Sequence, residues 1–159
     1  MKQIILKVPS IVFILLIFTP LILWYLGIDT GFFDIILKTR VLPTLVAAIW
    51  SLSLISYMSS ESKSDEYVML ARILIVCQVI IEISIPYITY DSPYYTWIIG
   101  IELLGFGLIT LSAIIITSIV RKVFYARSLW FLFLEVWIIP IGALTLTPDV
   151  QKWNKGDKK

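Results

Sequence analysis

Residues 67–120 read YVMLARILIVCQVIIEISIPYITYDSPYYTWIIGIELLGFGLITLSAIIITSIV. Two long apolar runs flank the turn Asp91-Ser92-Pro93, and Arg72, Gln78, Glu82 and Glu102 are set inside them. Each run reaches the roughly 20 residues that carry an α-helix across a bilayer. Pro93 stops the first helix, and Tyr and Trp crowd the turn, as they do where a helix meets the membrane surface. The stretch predicts a transmembrane helical hairpin carrying polar groups at depth.

The remainder of the chain has the same character. Of its 159 residues 59% are apolar and its mean hydropathy is +0.94, whereas soluble domains are about 45–50% apolar. A single helical membrane domain over 1–147 is expected, followed by a basic polar tail over 148–159, PDVQKWNKGDKK.

Upstream, residues 1–27 begin with lysines like a signal peptide, but their apolar part is long and lacks a small-residue cleavage site. They read as a retained first span over 9–26, with Lys2 and Lys7 on one flank, Trp24 and Tyr25 on the other, and a kink at Pro20. Residues 27–40, GIDTGFFDIILKTR, are too short to cross and suit an interfacial turn or a plain linker. A second span covers 41–58, where Ala47 and Ser51 give the small-xxx-small spacing that lets a neighbouring helix approach. The polar run SSESKSDE at 59–66 is a solvated loop. The hairpin supplies spans three and four, and Gly100, Gly105 and Gly107 thin one surface of the fourth.

The fifth segment, LWFLFLEVWIIPIGALTLT at 129–147, is long enough to cross but contains Glu135, Pro140 and Gly142. If all five segments cross, Lys2, Lys7, Lys63, Arg121, Lys122 and Arg127 share one face. Lys38, Arg40, Lys152, Lys155, Lys158 and Lys159 share the other, and no bias results. If the fifth segment dips in and returns, the tail lysines change sides and the balance becomes ten against two. The positive-inside rule prefers that arrangement. The expected fold is therefore an all-α integral membrane protein of four spans plus a broken or re-entrant fifth segment bent near Pro140 and Gly142, the alternative being five full spans. Both termini would be cytoplasmic, in a multi-pass protein of the cell's inner membrane.

Ionisable groups within a span cost roughly 2.5–3.5 kcal/mol on insertion scales and mark partners, cavities or ion paths. Glu82 and Glu102 each lie ten residues from Ser92, level on adjacent helices, with Gln78 one turn from Glu82. The three form a candidate intramembrane polar site. Two facing carboxylates would share a proton or a cation; the alternative is that nearby hydroxyls satisfy each separately. Arg72 and Glu135 fall at similar depth from loops on one face and form a candidate structural ion pair, unless Arg72 snorkels to the interface.

Histidine is absent and Cys77 is the single cysteine. No P-loop, GxSxG, HExxH or CxxC motif is present, and the basic residues do not alternate with aromatics as nucleic-acid binders do. The chain is expected to be non-enzymatic, without cofactor, metal or nucleic acid. The leading expectation is a subunit, anchor or adaptor of a larger membrane-associated complex, embedded in the lipid bilayer. It would self-associate or bind another subunit at the cytoplasmic face through Lys152, Lys155, Lys158 and Lys159. The alternative is an oligomeric ion or proton conduit built on Glu82 and Glu102, with Thr110, Ser112, Thr117 and Ser118 as a polar stripe. Toxin immunity, which shares the small four-span plan in some proteins, is a weaker third possibility.

Overall fold

A computed structural model of the chain describes residues 2–25, 41–62, 67–84, 95–125 and 127–155. Among the described residues there are seven α-helices and no strand: α1 (Lys2–Lys7), α2 (Ser10–Tyr25), α3 (Val41–Ser62), α4 (Val68–Ser84), α5 (Tyr95–Arg121), α6 (Leu129–Trp137) and α7 (Ile139–Asn154). The segment 27–40, the turn at 91–93, Lys158 and Lys159 lie outside the described residues.

Two helical stretches are long and apolar enough to cross a membrane, Val41–Glu61 in α3 and Ile99–Arg121 in α5, and a third is reached if α6 and α7 together make one bent span. Among the described residues this is fewer than the four or five spans expected. Length and polarity account for the difference. The 16 residues of α2 and the 17 of α4 reach only about 24–26 Å at the helical rise, against a hydrocarbon core of about 30 Å. Within that short reach α4 also carries Arg72, Gln78, Glu82 and Ser84.

The fifth segment is indeed broken. Helices α6 and α7 meet at a bend of 116°. The break falls at Ile138, not at Pro140 or Gly142. Pro140 stands in the opening turn of α7, where a missing N–H leaves no bond unmade. The Ile138 N–H closes α6 on the Leu134 carbonyl at 2.8 Å, and the Ile138 carbonyl accepts from Gly142 at 3.1 Å. Helix α7 then runs through Pro148 to Asn154, so the tail boundary placed at 147/148 lies inside it. Burial of Val150 and the contacts of Asp149 and Trp153 outweigh the hydrogen bond that Pro148 cannot make.

Helix α3 is the hub, packing against α1, α2, α4 and α5 and burying Trp50, Leu54, Ile55, Tyr57 and Met58 completely. Helix α4 runs antiparallel to α5, with Glu82 beside Gly105 and Gln78 and Ile75 sharing a cavity with Ile109 and Ser112. Gly105 is the glycine of α5 that meets α4, whereas a side chain at Gly100 or Gly107 would enter open space. Outward, Met69, Ile73, Val76 and Ile80 of α4 and Leu103, Leu104, Phe106, Leu111 and Ile114 of α5 form an exposed apolar surface. A surface of that kind is ordinary against lipid and anomalous against water.

Three contacts gather the ends of the chain. Gln151 donates to the carbonyls of Ile5 and Val8 at 3.0 and 3.1 Å, bridging the junction of α1 and α2. Trp153 meets Phe124 edge-on at 5.6 Å, and Arg127 pairs with Asp149. The last turns of α7, the α5–α6 connection and α1 therefore share one end of the bundle. Lys7, Arg121, Lys122, Lys152 and Lys155 are exposed there.

Candidate functional site

Helix α6 is nine residues of almost unbroken apolar sequence, and the exception, Glu135, has a side chain with no exposure at all. A carboxylate so placed is tolerable only with a cation and hydrogen bonds around it. Arg127, just before α6, supplies both. Its Nη1 donates to Glu135 Oε1 at 2.7 Å and Oε2 at 2.8 Å, and its Nη2 donates to Asp149 of α7. One guanidinium thus ties the start of α6, its middle and the far turns of α7, closing the two arms of the bend. The same guanidinium lies 5.8 Å from the Phe124 ring centre, an added cation–π contact.

The expected Arg72–Glu135 pair is not formed. Arg72 is exposed on α4 and its Nη2 reaches Ser56 Oγ at 3.4 Å, while Glu135 is engaged by Arg127. The eight-residue tether from Arg127 through the turn at Ser128 keeps that cation beside Glu135. Arg72 instead keeps its head at the surface, as long basic side chains do.

Glu82 and Glu102 stand on the two antiparallel helices α4 and α5. Glu82 is half-buried, its Oε1 lying 3.8 Å from where a Cβ on Gly105 would stand. Gly105 is about 4.5 Å further along α5 than Glu102, and Glu102 is exposed. Some 28 Å of helix, by the rise of about 1.5 Å per residue, separate Glu102 from Arg121, close to one hydrocarbon thickness. A bilayer around α5 would meet these two residues at its opposite rims.

Gln78, one turn before Glu82 on α4, is half-buried against a small, partly open cavity of about 20 Å³ that it shares with Ser51 of α3, Ser112 of α5 and Trp137 at the α6–α7 break. That volume corresponds to about one water molecule. Ser112 spends its hydrogen on the Ile109 carbonyl at 2.8 Å, and Trp137 Nε1 is buried without a hydrogen-bond partner among the described residues. The small face at Ala47 and Ser51 borders this cavity.

Sequence reasoning missed the bond that joins the hub to α7, Trp50 Nε1 donating to Thr147 Oγ1 at 2.9 Å within the core. Trp50→Phe is expected to cost about 1–3 kcal/mol, because it leaves the Thr147 hydroxyl buried and unpaired. Adding Thr147→Val should return part of the loss. Denaturant unfolding in mild micelles checks both variants. Arg127 and Asp149 were missed too. Arg127 enters the sequence reading only in the charge balance and Asp149 only within the basic polar tail, although an acid within a turn of an apolar run is a usable signal.

Among the tail lysines, Lys152 and Lys155 are exposed at the cationic end of the bundle. Among the described residues no three His, Cys, Asp or Glu side chains gather into a metal-binding group. Comparison of the chain with known protein families, curated proteins and solved structures finds no match in any of the three.

Proposed function

We propose that the chain is a non-catalytic membrane-embedded subunit that works by contact, anchoring or adapting a partner at the cytoplasmic face of the cell membrane. The observation that carries this reading is the cationic end, where Lys7, Arg121, Lys122, Lys152 and Lys155 stand exposed on three converging parts of the chain. The positive-inside tendency puts that end in the cytoplasm, with both termini on that side. There it faces soluble partners and the anionic leaflet alike.

Most of the helix hydroxyls lend further support, because they are occupied locally, Thr117 Oγ1 being buried without a partner among the described residues. Ser53, Ser56, Ser84, Thr110, Ser118 and Thr145 donate to carbonyls four residues earlier on their own helices. Ser112 and Thr117 are buried while Ser118 is exposed, so the stripe proposed for a conduit is split between interior and surface. The conduit reading is left with Glu82 at the α4–α5 seam.

Extraction in mild detergent followed by native mass spectrometry is the direct test. A stoichiometric soluble or membrane partner is expected, and replacing Lys152, Lys155, Lys158 and Lys159 by Gln should reduce its recruitment to membranes at least tenfold. A pure homo-oligomer whose liposome conductance falls with Glu82→Gln would replace this reading with the conduit.

A further inference from the structure

We infer that the junction of α5 and α6 is a binding site for one anionic phospholipid, with an acyl chain in a groove on the outer surface and the headgroup phosphate on Arg121. The groove has a volume of about 270 Å³ and is lined by Ile114, Thr117 and Ser118 of α5 and Leu129, Trp130 and Phe133 of α6. Its walls are largely apolar: the Ser118 hydroxyl is turned to the Ile114 carbonyl at 3.0 Å, and Thr117 Oγ1 is buried without a hydrogen-bond partner among the described residues, so the groove offers mainly hydrocarbon contact.

Charge complementarity selects the occupant. Ile114, Ser118 and Arg121 fall at i, i+4 and i+7 on one stripe of α5. The guanidinium is borne about 4.5 Å beyond Ser118 and about 10 Å beyond Ile114 along the axis. Arg121 is exposed and makes no ion pair among the described residues, unlike Arg127 six residues on. Trp130, which lines the groove, is 75% exposed, as an interfacial indole is. An apolar slot capped at its outer end by an uncommitted cation repeats the order of an anionic phospholipid, with chain inward and phosphate outward. A second copy of this chain would have to bring an acid to Arg121, and the acid of α5 itself, Glu102, lies at the opposite rim.

The inference rests on the bilayer placement proposed above, and the experiment separates the two. Native mass spectra of the full chain in a neutral detergent are recorded with phosphatidylglycerol and with phosphatidylcholine of the same acyl composition. One phosphatidylglycerol per chain should be retained about fivefold better, the effect of one interfacial cation. Arg121→Gln should abolish the preference and Arg121→Lys should keep it. Ser118→Phe, which fills the groove, should lower retention of both lipids. Equal retention of the two lipids, or a preference that survives Arg121→Gln, overturns the site. A dimer dispersed by Ser118→Phe also overturns it, by seating a second copy in the groove. Release of the wild-type chain from membranes by alkaline carbonate would refute the bilayer placement itself. Retention there with equal lipid affinities refutes the groove alone.

Discussion

Arg127→Met will lower the unfolding free energy by about 3–5 kcal/mol, the cost of leaving one partner of a buried ion pair behind. The carboxylate left behind is Glu135, whose side chain has no exposure, whereas Arg127 and Asp149 keep 28% and 30% of theirs. The two arms of the clamp therefore differ in weight. Asp149→Asn removes a partly solvated contact and should cost under about 1 kcal/mol. Arg127→Met combined with Glu135→Leu removes the orphaned charge and should recover most of the first loss, since well-packed apolar replacements of buried pairs are often neutral. A double-mutant cycle in micelles, read by denaturant midpoint, measures the coupling. Equal losses for Arg127→Met and Asp149→Asn would show that the burial of Glu135 does not set the energetics.

The clamp also shows how far the sequence could be read. An all-helical chain with apolar segments long enough to cross a membrane was legible, because apolar content and run length are one-dimensional properties. The break in the last segment was legible from charge bias, as the tail lysines otherwise fall on the wrong side. Its position was not. Pro140 and Gly142 marked a weak point, yet proline is at home in the first turn of a helix, so the chain breaks just before it, at Ile138. The partner of Glu135 was illegible for a related reason. Depth counted along helices placed Arg72 and Glu135 level, but depth carries no information about rotation, and the 116° bend before α7 delivers Asp149 to Arg127 from a segment read as basic polar tail. Gln78 lines a small cavity with Ser51 and Ser112, a placement that its one-turn spacing from Glu82 does not reveal.

Among the described glycines, Gly142→Ala will be the most damaging change to alanine, costing on the order of 3 kcal/mol or more, at or above the upper end for overpacked cores. A Cβ at this position would collide with the Glu135 carbonyl oxygen of α6, and with Trp50 Cη2 of α3 at 2.7 Å. Neither neighbour has room to yield. The carbonyl is backbone, and Trp50 is fully buried and held through its indole N–H by Thr147. Gly142 lies four residues past Ile138 and donates to its carbonyl, so displacing it forces open the bend that the Arg127 clamp closes further along. The substitution would thus strain the hub contact and the hairpin together. By contrast, Gly107→Ala, where a Cβ meets open space, should be neutral or slightly stabilising through the better helix propensity of alanine. The two variants differ by one methyl group each and sit in helices of similar character. A shared outcome in thermal unfolding would mean that α6 and α7 do not cross at Gly142. A large loss confined to Gly142→Ala, partly relieved by Trp50→Phe, would locate the α3–α6–α7 junction at this residue.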